Sequence, residues 1–216
     1  MLAAVAPSPV DVPVPLRTGT PLDDWHVGLP FQCVTHIHGP VASGKTTLLH
    51  QIAQGVCEGG NSGAWVHFFT NSPQPWTRPS RLNEINSPSL DTLSEKIKKV
   101  REEDVVLIDD VPGYCGSGSG PASTAKEWQY FLRHLKNIGC TVVLTSQNRR
   151  GETTPRSPKV ISFSSALILN LEIVVTTSEG PVVEMTAIKS KFTDLGTMSP
   201  LRLWVRPCHK FPISKT

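Results

Sequence analysis

Three short stretches of this chain combine residue types and spacings that can do chemistry. The first is Gly39-Pro40-Val41-Ala42-Ser43-Gly44-Lys45-Thr46. Two glycines bracket four residues, and an ammonium and a hydroxyl follow. Glycines let backbone N–H groups turn inward into an anion-binding nest, and the run matches the phosphate-cradling pattern G-x-x-x-x-G-K-[ST]. An apolar run precedes it and the helical stretch Thr47–Val56 follows, so the helix N-terminus adds a favourable dipole. In this reading Gly39 to Thr47 surround the phosphates of a nucleotide such as ATP, Lys45 reaches the β- and γ-phosphates, and the Thr46 hydroxyl holds Mg²⁺.

The second stretch is Val105-Val106-Leu107-Ile108-Asp109-Asp110, four apolar residues ending in two carboxylates. It looks like a Walker B strand, with Asp109 expected to orient Mg²⁺ and Asp110 to act as a second polar ligand or a helix cap. Its strand end is expected to neighbour that of the phosphate loop. The third stretch, Asn148 to Lys159, carries Arg149, Arg150, Arg156 and Lys159 among glycine and proline. Such a loop is a solvated surface segment or a phosphate-pairing one whose binding is set by salt more than by sequence.

Elements must hold these stretches in place. Short apolar runs alternate with helical ones, which predicts βαβ units and a mostly parallel sheet. Strands are expected at Cys33–His38, Ala64–Phe69, Val105–Asp109 and Thr141–Ser146. An antiparallel hairpin is expected from Ala166–Thr176 and Val182–Ile188, with a further strand at Leu201–Val205. Helices are expected after Lys45, over Ser89–Arg101, and over Thr124–Asn137 with Gly139 as the stop. Asn71–Pro88, Pro112–Ser123 and Asn148–Pro158 read as loops. Prolines at 7, 9, 13 and 15 make residues 1–16 an extended arm, leaving 17–210 as the core and 211–216 as a tail.

Composition bounds the class. With 216 residues the chain fits one domain, and 38% hydrophobic against 18% charged residues provides for a packed core. A net charge of +3 permits nucleic-acid binding without arguing for it. The five cysteines include no Cys-x-x-Cys pair, so neither a disulfide framework nor a zinc site is suggested. No apolar run is long enough to span a membrane, and the N-terminal apolar stretch lacks the basic region of a signal peptide. A cytoplasmic location is expected, in a host cytoplasm if the chain is viral and in the nucleus if it is eukaryotic.

Several segments together resemble the RecA/RadA recombinase core. Arg17-Thr18-Gly19-Thr20-Pro21-Leu22-Asp23 and Gly28-Leu29-Pro30 resemble the "TG…LD…GG(L)" approach to the Walker A strand. Ala64 to Thr70 sits where that family has its second core strand. Thr141-Val142-Val143-Leu144-Thr145-Ser146-Gln147-Asn148 resembles the strand whose terminal Gln senses the γ-phosphate and signals to a DNA-binding loop. Ile188-Lys189-Ser190-Lys191-Phe192, followed by Gly196, resembles the C-terminal hairpin whose basic residues touch ATP across a subunit interface. The resemblance covers roughly residues 17–205, and is greatest to short, core-only members such as archaeal RadB-like paralogues and phage Sak-type proteins. It implies an α/β RecA-like P-loop core, a mostly parallel sheet flanked by helices and ending in an antiparallel hairpin.

The same resemblance implies function: ATP and Mg²⁺ bound, single-stranded DNA as partner, and a role in recombination, annealing or repair within a ring or filament of copies. Lys45, Asp109 and Gln147 would be the catalytic set, with Lys189 and Lys191 completing a neighbour's ATP site. Arg149, Arg150, Arg156, Lys159 and Tyr114 would meet DNA. One departure bears on hydrolysis: Asn71 stands where robust ATPases of the family place a water-activating Glu, and an amide cannot accept that proton. Glu84 or Asp110 would have to substitute, so slow or partner-dependent hydrolysis is expected. A non-hydrolysing paralogue acting through protein contacts is the alternative, and a DnaB-type hexameric helicase motor or a KaiC-like ATPase are others. Lys189 and Lys191 equally suit the exposed face of a hairpin. His36 and His38 read as core or strand-edge residues more than a metal pair, and Trp76, Trp128 and Trp204 as core.

Overall fold

The computed structural model describes residues 15–25, 28–59, 63–70, 79–86, 89–111, 121–149, 152–177 and 180–204. Ten strands and four α-helices follow in chain order among them. The strands are β1 (Pro15–Leu16), β2 (Leu29–Pro30), β3 (Val34–Gly39), β4 (Val66–Thr70), β5 (Leu82–Asn86), β6 (Val105–Ile108), β7 (Thr141–Gln147), β8 (Leu167–Thr177), β9 (Gly180–Ser190) and β10 (Leu201–Trp204). The helices are α1 (Lys45–Glu58), α2 (Leu90–Lys96), α3 (Pro121–Ile138) and α4 (Lys159–Ser164).

Eight strands form one mixed sheet in the order β10-β9-β8-β3-β7-β6-β4-β5, and β1 pairs with β2 apart from it. The pairs from β5 across to β8 are parallel, whereas β9 runs antiparallel to both β8 and β10. Central strands β3, β4 and β6 are buried along their whole length, as parallel strands covered on both faces must be. Alternate side chains divide the core in two. One face carries Ile37, Phe68, Leu107 and Val143 against Leu48, Leu49 and Ile52 of α1. The other carries Val106, Ile108, Val142 and Leu144 against α2, α3 and α4. Trp128, Phe131, Leu132 and Leu135 form the apolar stripe of α3, at the spacing that keeps one helix face inward. Among the tryptophans read as core, Trp128 is buried, while Trp76 and the side chain of Trp204 lie outside the described residues.

Two anchors hold residues 18–25 in place. Asp23 accepts from the Thr18 and Gly19 amides at 2.8 and 2.9 Å and from the Thr18 hydroxyl at 2.7 Å. The tight Thr18–Gly19 turn so held lies directly on α1, where a Cβ added to Gly55 would fall 1.6 Å from the Thr18 carbonyl oxygen. Trp25 donates from Nε1 to the Ser199 carbonyl at 2.8 Å, joining the N-terminal turn to the segment before β10.

The expected strands and helices form, with four differences. The supposed loop Asn71–Pro88 contains edge strand β5, whose half-exposed side chains carry no clear alternation. α4 follows the basic stretch where no helix is expected; at six residues it is held by packing, not by propensity. The Ser89–Arg101 helix ends at Lys96 and tightens into a 3₁₀ turn at Ile97–Lys99. α3 begins at Pro121, inside the stretch read as a loop. Of the extended arm, only Pro15 and Leu16 are described, as β1.

At the amino ends of β4 and β6, Asp104 is buried with a full set of partners. It accepts from the Trp65 and Arg101 amides at 3.1 and 2.9 Å and from Arg101 Nη2 at 3.1 Å, and it bonds His67 Nε2 at 3.2 Å. Burial alone would raise its pKa, but these bonds outweigh it and hold the carboxyl below its ordinary 3.8. The native state therefore stays ionised where the unfolded chain begins to take up a proton. The stability so contributed is complete above the ordinary value and is lost as pH falls through the lowered native one. Asp104→Ala is expected to cost about 3 kcal/mol by stranding the buried His67 and the part-buried donors of Trp65 and Arg101, a fall of roughly 6–12 °C in Tm at neutral pH. Its acid-unfolding curve should be flatter than the parent's below pH 4, as read by circular dichroism.

Candidate nucleotide site

The phosphate-loop stretch leaves β3 at Gly39 and enters α1 at Lys45. Gly39 permits a close approach to β8: an added Cβ would sit 2.6 Å from the Leu171 carbonyl oxygen and 2.9 Å from Ser43 Oγ. Gly44 takes φ +82° as the N-cap of α1, and Ala42 takes φ +63°. The cap makes no side-chain hydrogen bond to the first turn, so the turn's backbone donors, with the positive end of the helix dipole, face the loop.

Lys45 is only 8% exposed and its ammonium lies inside this loop. It donates to the carbonyls of Gly39 (3.2 Å) and Pro40 (2.7 Å) and to Ser43 Oγ (3.3 Å). Burial lowers its pKa, a pull opposed by Asp110 and Asp109. Thr46 donates from Oγ1 to Asp109 Oδ2 at 2.8 Å, and Thr145 of β7 donates to Asp109 Oδ1 at 2.9 Å. Thr145 Oγ1 also accepts from the Asp110 amide at 2.9 Å. Burial pushes both carboxyls up, and Asp109 adds to the rise at Asp110; Lys45 opposes it at both.

The two motif strands are not neighbours. β7 lies between β3 and β6, correcting the expectation of adjacent strand ends, and it supplies the residue that spans the gap, Thr145. The physical reason is that motif spacing along the chain says nothing about which strands pair. Asp110 caps no described helix. It takes φ +59° and accepts at Oδ2 from Gln147 Nε2 at 3.0 Å.

Gln147 is the junction with the third stretch. Its side chain holds Asp110, while its carbonyl accepts from the Arg156 amide at the base of the basic loop. The loop folds back on itself, with a bridge between Asn148 and Pro155 and an Arg149 amide bond to the Thr154 carbonyl at 2.9 Å. Asn148 donates its amide to the Gly39 carbonyl at 2.9 Å. A polar chain then runs from His38 Nδ1 to Asn148 Oδ1 (2.8 Å), from Asn148 Nδ2 to Asn170 Oδ1 (3.5 Å), and from Asn170 Nδ2 to Glu172 Oε1 (2.9 Å). A cleft of about 1160 Å³ opens between the loop tip at Pro40 and Val41 and the side chains of Arg149, Arg156 and Glu172. Arg156 is near enough to Asp110 to oppose the rise of its pKa.

Lys159 is not with these arginines. It stands at the first turn of α4 and lines a separate cleft together with Lys191. Lys189 donates to the Ser162 and Phe163 carbonyls at 2.7 and 3.4 Å, capping the end of α4 in its own chain. Glu84 sits on edge strand β5 in register with Phe68. Asn71, Tyr114 and Arg150 lie outside the described residues. His36 and His38 are strand residues of a buried polar network, with His36 Nε2 on Ser146 Oγ at 2.8 Å. Burial, aided by His38, brings the His36 pKa down to about 3. Thr145, Asn170 and Glu172 are given no role by the sequence reading; for Thr145 the signal is the polar run Thr145-Ser146-Gln147-Asn148 ending an otherwise apolar strand.

The donor set fits a magnesium nucleotide. Among the described residues no cluster of three or more His, Cys, Asp or Glu is disposed to hold a metal alone. Mg²⁺ takes few protein ligands and completes its shell with water and phosphate oxygens, for which Thr46 and Asp109 suffice. No protein-family model matches the chain, and no curated protein matches it. Its chemistry is read from these residues.

Replacing Gly39 by Ala should cost about 2–3 kcal/mol, because the methyl meets backbone of β8, and lower Tm by roughly 4–12 °C. Ala42→Gly should stabilise by up to about 1 kcal/mol, since the left-handed conformation costs an alanine roughly 1–2 kcal/mol and glycine's greater chain entropy returns only part of it. Denaturant midpoints of the two variants check the signs; a harmless Gly39→Ala would contradict this packing.

Proposed function

We propose that this chain is a RecA-type core that binds ATP with Mg²⁺ and acts on single-stranded DNA in recombination, annealing or repair. The observation that carries the reading is the double engagement of Gln147. Its side chain holds Asp110 beside the phosphate loop, and its backbone holds Arg156 at the base of the basic loop. A change at the γ-phosphate that redirected the Gln147 amide would move the strand end from which the loop springs. Bound Mg²⁺ would supply charge neutralisation at the β- and γ-phosphates. Lys45 would exchange its carbonyl partners for phosphate oxygens, Thr46 and Asp109 would hold the metal, and the backbone from Gly39 to Thr47 would donate to the phosphates. Arg149 and Arg156 would place DNA phosphates in the cleft that begins at Pro40 and Val41. Lys189 and Lys191 would serve a neighbouring copy only if assembly draws Lys189 from its α4 carbonyls.

A second reading, a non-hydrolysing paralogue acting through protein contacts, draws on Asn71 and on Asp110, whose Oδ2 already accepts a hydrogen bond from Gln147. Turnover of ATP with and without single-stranded DNA separates the two: DNA-stimulated hydrolysis supports the first, and tight nucleotide binding without turnover the second.

Lys45→Ala should weaken Mg·ATP at least a hundredfold by calorimetry. Gln147→Ala should leave that affinity within about threefold and abolish the difference in DNA affinity between the ATP-bound and ADP-bound states. Arg149→Ala should weaken DNA binding and reduce the slope of log K against log salt by about 0.7, one phosphate contact on a single strand. A parent protein that binds no single-stranded DNA at low salt would sink the reading.

A further inference from the structure

On the face of the sheet opposite α1, a cleft of about 570 Å³ lies between α3, α4 and the bend after β9. Four cations line it: Arg133 and Lys136 of α3, Lys159 of α4, and Lys191. Among the described residues none that lines it is acidic. Among the described residues none of the four is in an ion pair, although surface lysines and arginines on mixed-charge helices commonly find one. Lys136 and Lys191 both lie near enough to Cys33 to oppose the burial-driven rise of its pKa. Lys191 likewise adds to the lowering of the Lys189 pKa that burial causes.

One lining residue is aromatic, Phe163, which is 76% exposed. Tyr130, 69% exposed, lies beside the lining residue Arg133. The Arg133 guanidinium carbon lies 5.9 Å from the Tyr130 ring centroid, within cation–π range. The backbone at Phe163 is held by Lys189, whose ammonium donates to the carbonyls of Ser162 and Phe163, while Ser165 Oγ donates to the Ile161 carbonyl at 2.7 Å. A large apolar ring fixed in water is costly unless something covers it. The floor, from Val34, Leu132 and Val160, is apolar. Unpaired cations for a backbone and exposed rings for bases are the two components of a sequence-tolerant single-strand surface. An acidic peptide would use the cations but has no flat π-faces to match the rings. The chain also joins this cleft to the one at the phosphate loop, because Lys159 follows Arg156 by only the Ser157-Pro158 step.

We propose that the α3–α4 cleft is a second contact surface for single-stranded nucleic acid, in which Arg133, Lys136, Lys159 and Lys191 pair with phosphates and Phe163 stacks on a base. It extends the DNA reading above and is independent of the nucleotide site.

Fluorescence anisotropy of a labelled oligothymidylate at low salt tests it. The doubly charge-reversed variant Arg133→Glu with Lys136→Glu should bind at least tenfold more weakly, and its salt slope should be shallower by about 1.4, two phosphate contacts on a single strand. Phe163→Ala should weaken binding about tenfold with the slope unchanged, and Phe163→Trp should retain parental affinity. All these positions are exposed, and thermal melts check that each variant is folded; if the charge reversal unfolds the chain, Arg133→Gln with Lys136→Gln replaces it with the same expected direction. If both sets bind as the parent does while Arg149→Ala is weakened, the basic loop alone holds DNA: the inference falls and the DNA reading stands. If the α3–α4 variants are weakened and Arg149→Ala is not, the inference stands and the loop assignment falls. Binding of polyglutamate that depends on Phe163, with no binding of oligothymidylate, would make the cleft a seat for an acidic protein and overturn the proposal.

Discussion

One buried ammonium and two adjacent carboxylates, Asp109 buried and Asp110 half-buried, lie where β3, β7 and β6 end and set the terms for the rest of this structure. Taking such charges out of water is expensive unless each is paired and hydrogen-bonded. Asp109 is satisfied by a hydroxyl from α1 on one oxygen and one from β7 on the other. Lys45 is satisfied by two loop carbonyls and a serine. Asp110 is held by Gln147. The partners come from α1, from β7 and from the turn that leaves β3, so the site exists only when α1, β3, β6 and β7 are all in place.

The same constraint makes the site responsive. A buried polar network has high stakes in both directions, because satisfied groups rigidify it and an altered one forces its neighbours to move. Gln147 belongs to the network through its side chain and to the basic loop through its carbonyl. Asn148, next in sequence, joins the loop to the Gly39 carbonyl and to the His38 and Asn170 side chains. The loop base is thereby fastened to Asp110 through Gln147 and to the end of β3 through Asn148.

The basic residues illustrate how reading along the chain and reading in space diverge. Arg149, Arg156 and Lys159 fall within one stretch of the sequence, yet a proline-led helix start carries Lys159 into a different cleft, which it lines with Arg133, Lys136 and Lys191. The β9 lysines divide in a comparable way: Lys189 is committed to the carbonyls of α4, while Lys191, beyond the end of the strand, remains exposed. Edge strand β5 was illegible for a related reason, since its half-exposed residues lack the alternation that marks a strand with one wet and one dry face.

Local structure was legible from residue types alone: the glycine-bracketed turn between β3 and α1, two acids ending an apolar run, and the apolar strands that became β3, β4, β6 and β7. These depend on backbone conformation and burial within a few residues, which spacing encodes. Tertiary structure alone decided that β7 separates the two motif strands, that Thr145 and Gln147 reach the carboxylates, that Asp23 locks the Thr18–Gly19 turn onto Gly55, and that the cations divide between two clefts. Strand order and cross-sheet contacts arise from pairing between segments far apart in the chain. No periodicity records such pairing, because every buried strand presents the same pattern to every possible neighbour.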